Sequence, residues 1–283
     1  MTRLPVPSPA TTKDTNTMTT QAADMLDLPL TPPPGGQILH QSDLATVIWG
    51  DCTDPQVIAQ APDWYGLLCA DPPYGVRYNS GRSSNFTEIP GDDGTTDWAA
   101  VLGQWVGPVG TFTSGLAPNR HAYVFGYAPG QLAEPMRLGG TAELVWDKDM
   151  TGMGKLNSPW GPSHETITFG VHVKQQQNRA DGGGRLAARL RKGSILRYPR
   201  PNGSGARVHS NEKPVLLMAD LIESSTVRGD LVVDPCAGSG STLVAAVLEG
   251  RRAFGVEIGR HHAELAVQRV RAAERIAAQI AAA

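Results

Sequence analysis

The stretch Leu231-Val-Val-Asp234-Pro235-Cys236-Ala-Gly238-Ser-Gly240-Ser241-Thr242 leaves few folds open. An apolar run of strand type ends on an acid, a turn of small residues follows, and Leu243-Val-Ala-Ala-Val-Leu begins a helical run. Strand, glycine turn and helix in that order is how an open α/β sheet offers a helix N-terminus to a nucleotide-like ligand. Gly238 and Gly240 let ligand and backbone approach closely and adopt conformations closed to other residues. The turn ends in Ser241-Thr242, and no Lys follows Gly240 as a phosphate loop requires. Leu243 stands where the dinucleotide fingerprint has its third glycine. The turn therefore predicts a ligand without phosphates.

A second signal narrows the ligand. Arg252-Ala-Phe-Gly-Val-Glu257 is the next apolar run, and an acid about 20 residues past such a turn, at a strand end, is placed to accept ribose hydroxyls. A third lies far upstream, where Tyr65-Gly-Leu-Leu-Cys-Ala70 runs into Asp71-Pro72-Pro73-Tyr74. Continuous apolar residues read as a buried parallel strand, which delivers Asp71 to the carboxyl edge of the sheet.

Together these motifs resemble the DNA amino-methyltransferases of the permuted beta class, with the tetrad Asp71-Pro-Pro-Tyr74 ahead of the loop Asp234-Pro-Cys-Ala-Gly-Ser-Gly240. The resemblance covers roughly residues 37–283. It implies a Rossmann-like α/β fold: an open, mostly parallel twisted sheet with helices on both faces and circularly permuted motif order. It also implies S-adenosylmethionine as methyl donor and double-stranded DNA as partner, with a flipped base presenting its exocyclic amine. A homodimer and a restriction endonuclease partner are left open.

The resemblance assigns roles to residues. Asp71 and the Pro72 carbonyl would accept hydrogen bonds from the amine, Pro73 would stiffen the loop, and Tyr74 would stack on the extruded base. Each proline ring fixes φ, so the two acceptors stay aimed without reorganising. Glu257 would take the cofactor ribose, and Gly238 to Gly240 would approach its methionine part. Asp234 would fix the turn and reach the cofactor amine, with Pro235, Cys236, Ser241 and Thr242 completing the loop. Lys213-Pro214, after His209-Ser-Asn-Glu, would hold the methionine end. Asp51, ending the run Ala45-Thr-Val-Ile-Trp-Gly50, is either the acceptor of the adenine amine or an ordinary Gly-Asp turn. The segment from Trp146 to Glu165 matches the family's target-base wall too loosely to carry over any single residue.

Pro235-Cys236 superficially resembles the nucleophile of cytosine C-5 methyltransferases, but the Glu-Asn-Val motif they need does not occur in this chain. Cys236 reads as a packing residue of the loop. The other cysteines, Cys52 and Cys69, form no Cys-x-x-Cys pair and suggest no metal site, which fits a reducing cytoplasm.

Residues 1–36, rich in Thr and Pro, read as a disordered tail ahead of a domain over 37–283. The net charge of −2 does not predict nucleic-acid binding, so local charge must. Residues 171–208 hold nine Lys or Arg against one acid, Asp181. By position this resembles a small target-recognition insert, in which Arg185, Arg189, Arg191, Lys192, Arg197 and Arg200 would meet phosphates or read guanine. No apolar run is long enough to span a membrane.

Helices are expected over Asp54–Gln60, Trp98–Val106, Gln131–Leu138 and Arg260–Ala283, and strands over His121–Gly126, Thr141–Asp147 and Thr166–Val171. Adenine N-6 is the favoured target. The alternatives are cytosine N-4, a methyltransferase of RNA or small molecules on the same fold, and a degenerate relative kept only to bind DNA.

Overall fold

The computed structural model describes residues 31–74, 92–107, 114–150, 159–173, 192–200 and 212–282. Nine strands form one sheet in the order β1-β2-β9-β8-β3-β4-β6-β5-β7. In chain order they are β1 (Gln37–Gln41), β2 (Ala45–Trp49), β3 (Trp64–Ala70), β4 (Gly115–Phe125), β5 (Leu138–Asp147), β6 (His164–His172), β7 (Ile195–Arg197), β8 (Leu231–Asp234) and β9 (Arg252–Glu257). The helices are α1 (Pro55–Ile58), α2 (Trp98–Val106), α3 (Pro129–Leu132), α4 (Val215–Ser225), α5 (Ser241–Leu248) and α6 (Arg260–Ala282).

Strands β2, β9, β8, β3 and β4 run parallel, and β6 is antiparallel to both β4 and β5. Alternation along the central strands feeds two apolar layers. Leu67, Cys69, Val232 and Ala253 pack with α4, α5 and α6 on one face. Leu68, Ala70, Val233 and Phe254 pack with Trp98, Leu102 and Trp105 of α2 and Leu132 of α3 on the other. Strands buried on both faces read as unbroken apolar runs, which is why these were visible in the sequence.

The direction of the connections fixes where a ligand can sit. From β8 the chain crosses through α5 to β9, on one side; from β3 it crosses through α2 to β4, on the other. The sheet's switch point therefore lies between β8 and β3, and the crevice outside their carboxyl ends is the expected binding place.

Several boundaries differ from expectation. The helix expected over Gln131–Leu138 is only α3, one turn long; Arg137 takes φ 53° and Leu138 already begins β5. Strand β4 starts six residues earlier than the apolar run and takes in Pro118 and Asn119. Two described stretches of the basic segment 171–208 belong to the sheet: β6 continues to His172, and β7 pairs parallel with β5. Among the described residues, no helix is long and apolar enough to cross a membrane.

Candidate active site

Four acids end neighbouring strands at one edge of the sheet: Asp51 after β2, Glu257 on β9, Asp234 on β8 and Asp71 after β3. The glycine turn closes the floor of this crevice. Gly238 and Gly240 both have positive φ, 53° and 81°, but for different reasons. A Cβ on Gly238 would meet nothing within 4 Å, so its open side faces space. A Cβ on Gly240 would come within 2.9 Å of the Ala266 Cβ, so this glycine serves the packing of α5 on α6 rather than approach by a ligand.

Acids hold the turn from both sides. Glu257 Oε2 accepts the Gly238 N–H at 2.8 Å, and its Oε1 accepts that of Gly259 at 2.7 Å. Burial pushes the Glu257 carboxyl up, with those two N–H donors opposing. Asp234 Oδ1 accepts the Cys236 N–H at 3.0 Å. Burial lifts Asp234 to about 7, although the Thr242 hydroxyl and the Cys236 N–H favour the carboxylate. Arg269 of α6 ties the turn to the segment before α4, donating to the Ser239 carbonyl at 2.8 Å and pairing with Glu212 at 2.7 Å. The buried Ser241 hydroxyl has no hydrogen-bond partner among the described residues.

Cys236 lies 3.9 Å from Cys52, sulfur to sulfur. That contact and burial push its thiol well above its usual range, so it is held protonated, as a packing residue would be and a nucleophile would not. Asp51 Oδ1 accepts both the backbone N–H and the hydroxyl of Thr53 at 2.8 Å, which makes it at least the cap of its own turn.

Across the switch point, the tetrad is built into a charged cluster. The Tyr74 hydroxyl donates to Asp71 Oδ1, and the Lys213 ammonium donates to Asp71 Oδ2. Lys213 also lies 3.2 Å from Glu165 Oε2, and Glu165 Oε1 lies 2.6 Å from Lys148. Lys213 sits over the Phe125 ring at 5.0 Å and the Trp146 ring at 5.9 Å. The Tyr74 ring meets Tyr127 edge to face at 6.4 Å, and the Tyr127 hydroxyl donates to the Pro73 carbonyl at 2.8 Å. Gly126, at φ 74°, leaves the room for the Tyr74 ring: a Cβ there would collide with the ring's edge. Tyr74 itself stays 36% exposed, open to a stacking partner.

The crevice thus brings together Asp51, Asp71, Tyr74, Asp234, Gly238 and Glu257. Lys213 is there too, but its ammonium reaches the tetrad carboxylate rather than the glycine turn. Glu165, Lys148, Trp146 and Tyr127 were not singled out by sequence reading; the loose match over Trp146–Glu165 was the available signal for the first three, and Tyr127 had none. Of the basic residues, Arg185, Arg189 and Arg191 lie outside the described residues. Lys192 pairs with Asp220 at 2.5 Å, Arg197 with Asp147 at 3.0 Å, and Arg200 stands 3.7 Å from Glu165. Each of these three has an acid of its own chain beside it, so DNA would have to share or displace that partner.

Comparison with known proteins bears on this site. The N6/N4 methyltransferase family, described as DNA methylase, matches residues 66–268. The DNA adenine methyltransferase YhdJ of Escherichia coli K12 is 34% identical over 163 residues, 49% of this chain and 54% of YhdJ. YubD of the same organism is 47% identical over 79 residues, 28% of this chain and 35% of YubD. The chain thus spans about half and about a third of these two relatives. Two crystal structures share the fold. The M1.HpyAVI–SAM complex gives TM-score 0.57 at 18% identity, over 80% of this chain and 99% of the other. The cytosine-N4-specific PvuII DNA methyltransferase gives TM-score 0.57 at 15% identity, over 88% and 96%.

Proposed function

Because the chain belongs to the DNA methylase family of N6/N4 methyltransferases, we propose that it transfers a methyl group from S-adenosylmethionine to the exocyclic amine of a base flipped out of duplex DNA, with adenine N-6 the target. The observation that carries this reading is the placement of Asp71 and Asp234 on either side of the sheet's switch point, with Tyr74 open beside one and the glycine turn beside the other. The reaction belongs with DNA in the cytoplasm.

The residues present fit the cofactor. When bound, S-adenosylmethionine supplies an activated methyl on a sulfonium. The open side of Gly238 gives its methionine part a seat without a clash. Glu257 is fixed by two backbone donors, and each carboxylate oxygen keeps a lone pair for a ribose hydroxyl. Asp234 offers a buried carboxylate to the cofactor's amino group. Ser241 brings a buried hydroxyl in need of a partner.

The chain's own part in the chemistry is to make the amine's lone pair available. That lone pair is delocalised into the base ring. Asp71 and the Pro72 carbonyl accept the amine's hydrogens and draw the nitrogen toward tetrahedral geometry. Acceptors fixed before the reaction lose nothing to reorganisation, which is where electrostatic catalysis gains most. Lys213 holds Asp71 itself, and Tyr127 holds the Pro73 carbonyl next to that of Pro72. The Tyr74 hydroxyl occupies Asp71 Oδ1 and gives way to the amine as its ring turns to the base. Adenine is favoured because relatives acting on cytosine N-4 more often carry Ser where this chain has Asp71, and because YhdJ is an adenine enzyme.

The test is transfer of labelled methyl to modification-free bacterial genomic DNA, with RNA as control. Label in DNA that disappears in Asp71→Ala supports the reading. Label in RNA alone, or DNA binding without transfer, overturns it.

A further inference from the structure

Four charged side chains stand in line behind the tetrad: Asp71, Lys213, Glu165 and Lys148. Two ammonium groups and two carboxylates balance. Lys213 is 8% exposed and Lys148 3%, so neither cation can rely on water. A buried ammonium persists only when paired. Burial works against the charged form of Lys213, but Asp71 and Glu165 outweigh it and hold its pKa up. Burial also works against the Glu165 carboxylate, yet Lys213 and Lys148 hold it at about 2. Arg200 adds a more distant positive charge, 3.7 Å from Glu165.

The two oxygens of Asp71 are not equivalent. Oδ2 has a buried ammonium partner, and Oδ1 a neutral hydroxyl on a partly exposed residue. The carboxylate assists both bonds, but at Oδ2 the donor is itself a buried cation, and breaking that pair would leave a buried charge uncompensated. An incoming amine therefore displaces Tyr74 from Oδ1 and leaves Oδ2 held. On the far side of the same ammonium stands Glu165, its Oε2 3.2 Å away in an ion pair, with its backbone fixed in β6 opposite Trp146 of β5.

We propose that Glu165 is a positioning residue of the methyl-transfer site: it anchors the Lys213 ammonium, which in turn holds the Asp71 carboxylate so that Oδ1 faces the amine. The inference rests on the assignment of Asp71 above. Glu165 itself touches neither Asp71 nor, on this account, the substrate.

The groups facing Lys213 are Asp71, at the end of β3, and Glu165, in β6; Lys148 and Arg200 face it through Glu165. Removing the Glu165 charge leaves Lys213 with one anion instead of two and with Lys148 unopposed. Lys213 then gives up its proton at lower pH, and Asp71 loses its anchor.

The experiment measures methyl transfer into modification-free genomic DNA across pH, with cofactor affinity by calorimetry, for wild type, Glu165→Gln, Glu165→Asp and Asp71→Ala. Glu165→Gln should keep cofactor affinity, lower kcat by about 100-fold, the scale of a misplaced reacting group, and move the alkaline limb of the pH–rate profile to lower pH. Glu165→Asp keeps the charge on a shorter arm and should fall between the two. It also serves as the test if the Gln variant does not fold. Wild-type kcat and an unmoved limb overturn the proposal. So does a kcat that falls only with the folded fraction while the limb stays in place. Wild-type turnover in Asp71→Ala would instead sink the assignment beneath it; loss of turnover there, with Glu165→Gln unchanged, sinks the Glu165 role alone.

Discussion

Gly238 and Gly240 stand two residues apart, both with positive φ, and the structure gives them opposite fates on substitution by alanine. The backbone cost is shared: a non-glycine residue in the left-handed region costs about 1–2 kcal/mol, offset by about 0.4–1 kcal/mol from the stiffer unfolded chain. At Gly238 the new methyl meets nothing within 4 Å, so little more is lost. At roughly 2–4 °C per kcal/mol for a chain of this size, Gly238→Ala should lower the ligand-free Tm by only a few degrees. The methyl does enter the seat proposed for the cofactor, and overpacking by a methyl costs about 1–3 kcal/mol, which is roughly 5- to 150-fold in affinity. At Gly240 the methyl lies 2.9 Å from Ala266 in α6, so the overpacking cost falls on the fold instead. Gly240→Ala should lose about 2–4 kcal/mol of stability and keep most of the cofactor affinity of its folded fraction. Calorimetric titration with S-adenosylmethionine beside thermal unfolding of the same preparations reads both quantities. Equal losses of Tm with unchanged affinity in Gly238→Ala would refute the placement of the cofactor on the open side of the turn.

Other outcomes follow from the same site. Glu257→Ala should weaken cofactor binding roughly 10- to 150-fold, the value of hydrogen bonds to a charged acceptor, about 1.5–3 kcal/mol; an unmoved Kd by calorimetry would reduce Glu257 to a clasp for the Gly238 and Gly259 N–H groups. Burial raises Asp234 to about 7, so the ligand-free fold binds an extra proton between the unfolded carboxylate pKa of about 3.9 and 7 and loses stability as pH rises through that window. A cationic cofactor prefers the ionised form, so its affinity should rise by at most about tenfold per pH unit up to about pH 7; Asp234→Asn should flatten that profile, and an unchanged slope would place the titrating group elsewhere. Gly126→Ala drives a methyl against the edge of the Tyr74 ring, and should lower kcat while leaving the cofactor Kd near wild type in the same calorimetric assay.

The fold and half of the site were legible because their signals are local. Strands β3, β8 and β9 are continuous apolar runs, each ending in a residue that can be read in place: Asp71 one residue on, Asp234 and Glu257 as the last. The glycine turn announces itself by composition, though not the division of labour within it, since Ala266 comes from α6. The charge cluster could not be read because its members are scattered: Asp71, Lys148, Glu165 and Lys213 come from four segments that only the sheet order brings together. Lys213 was read from its motif alone, which suggests the cofactor, whereas its ammonium turns to Asp71. Strand β7 was hidden because three residues, Ile195, Leu196 and Arg197, carry too little periodicity to stand out in a basic segment. The same basic segment looked free for DNA because its partners, Asp147, Glu165 and Asp220, lie outside it.

The proposed role of Asp71, whose carboxylate follows β3, is to activate a base amine. It is tested most directly by digesting DNA methylated by the wild-type protein to nucleosides and measuring them by mass spectrometry, with Asp71→Ala alongside. Wild type should give N-6-methyl-2′-deoxyadenosine, and the variant none. Methylation only at cytosine N-4 would reassign the target base and leave the chemistry standing. Methyl on cytosine carbon 5, or amine methylation that persists in Asp71→Ala, would contradict the account.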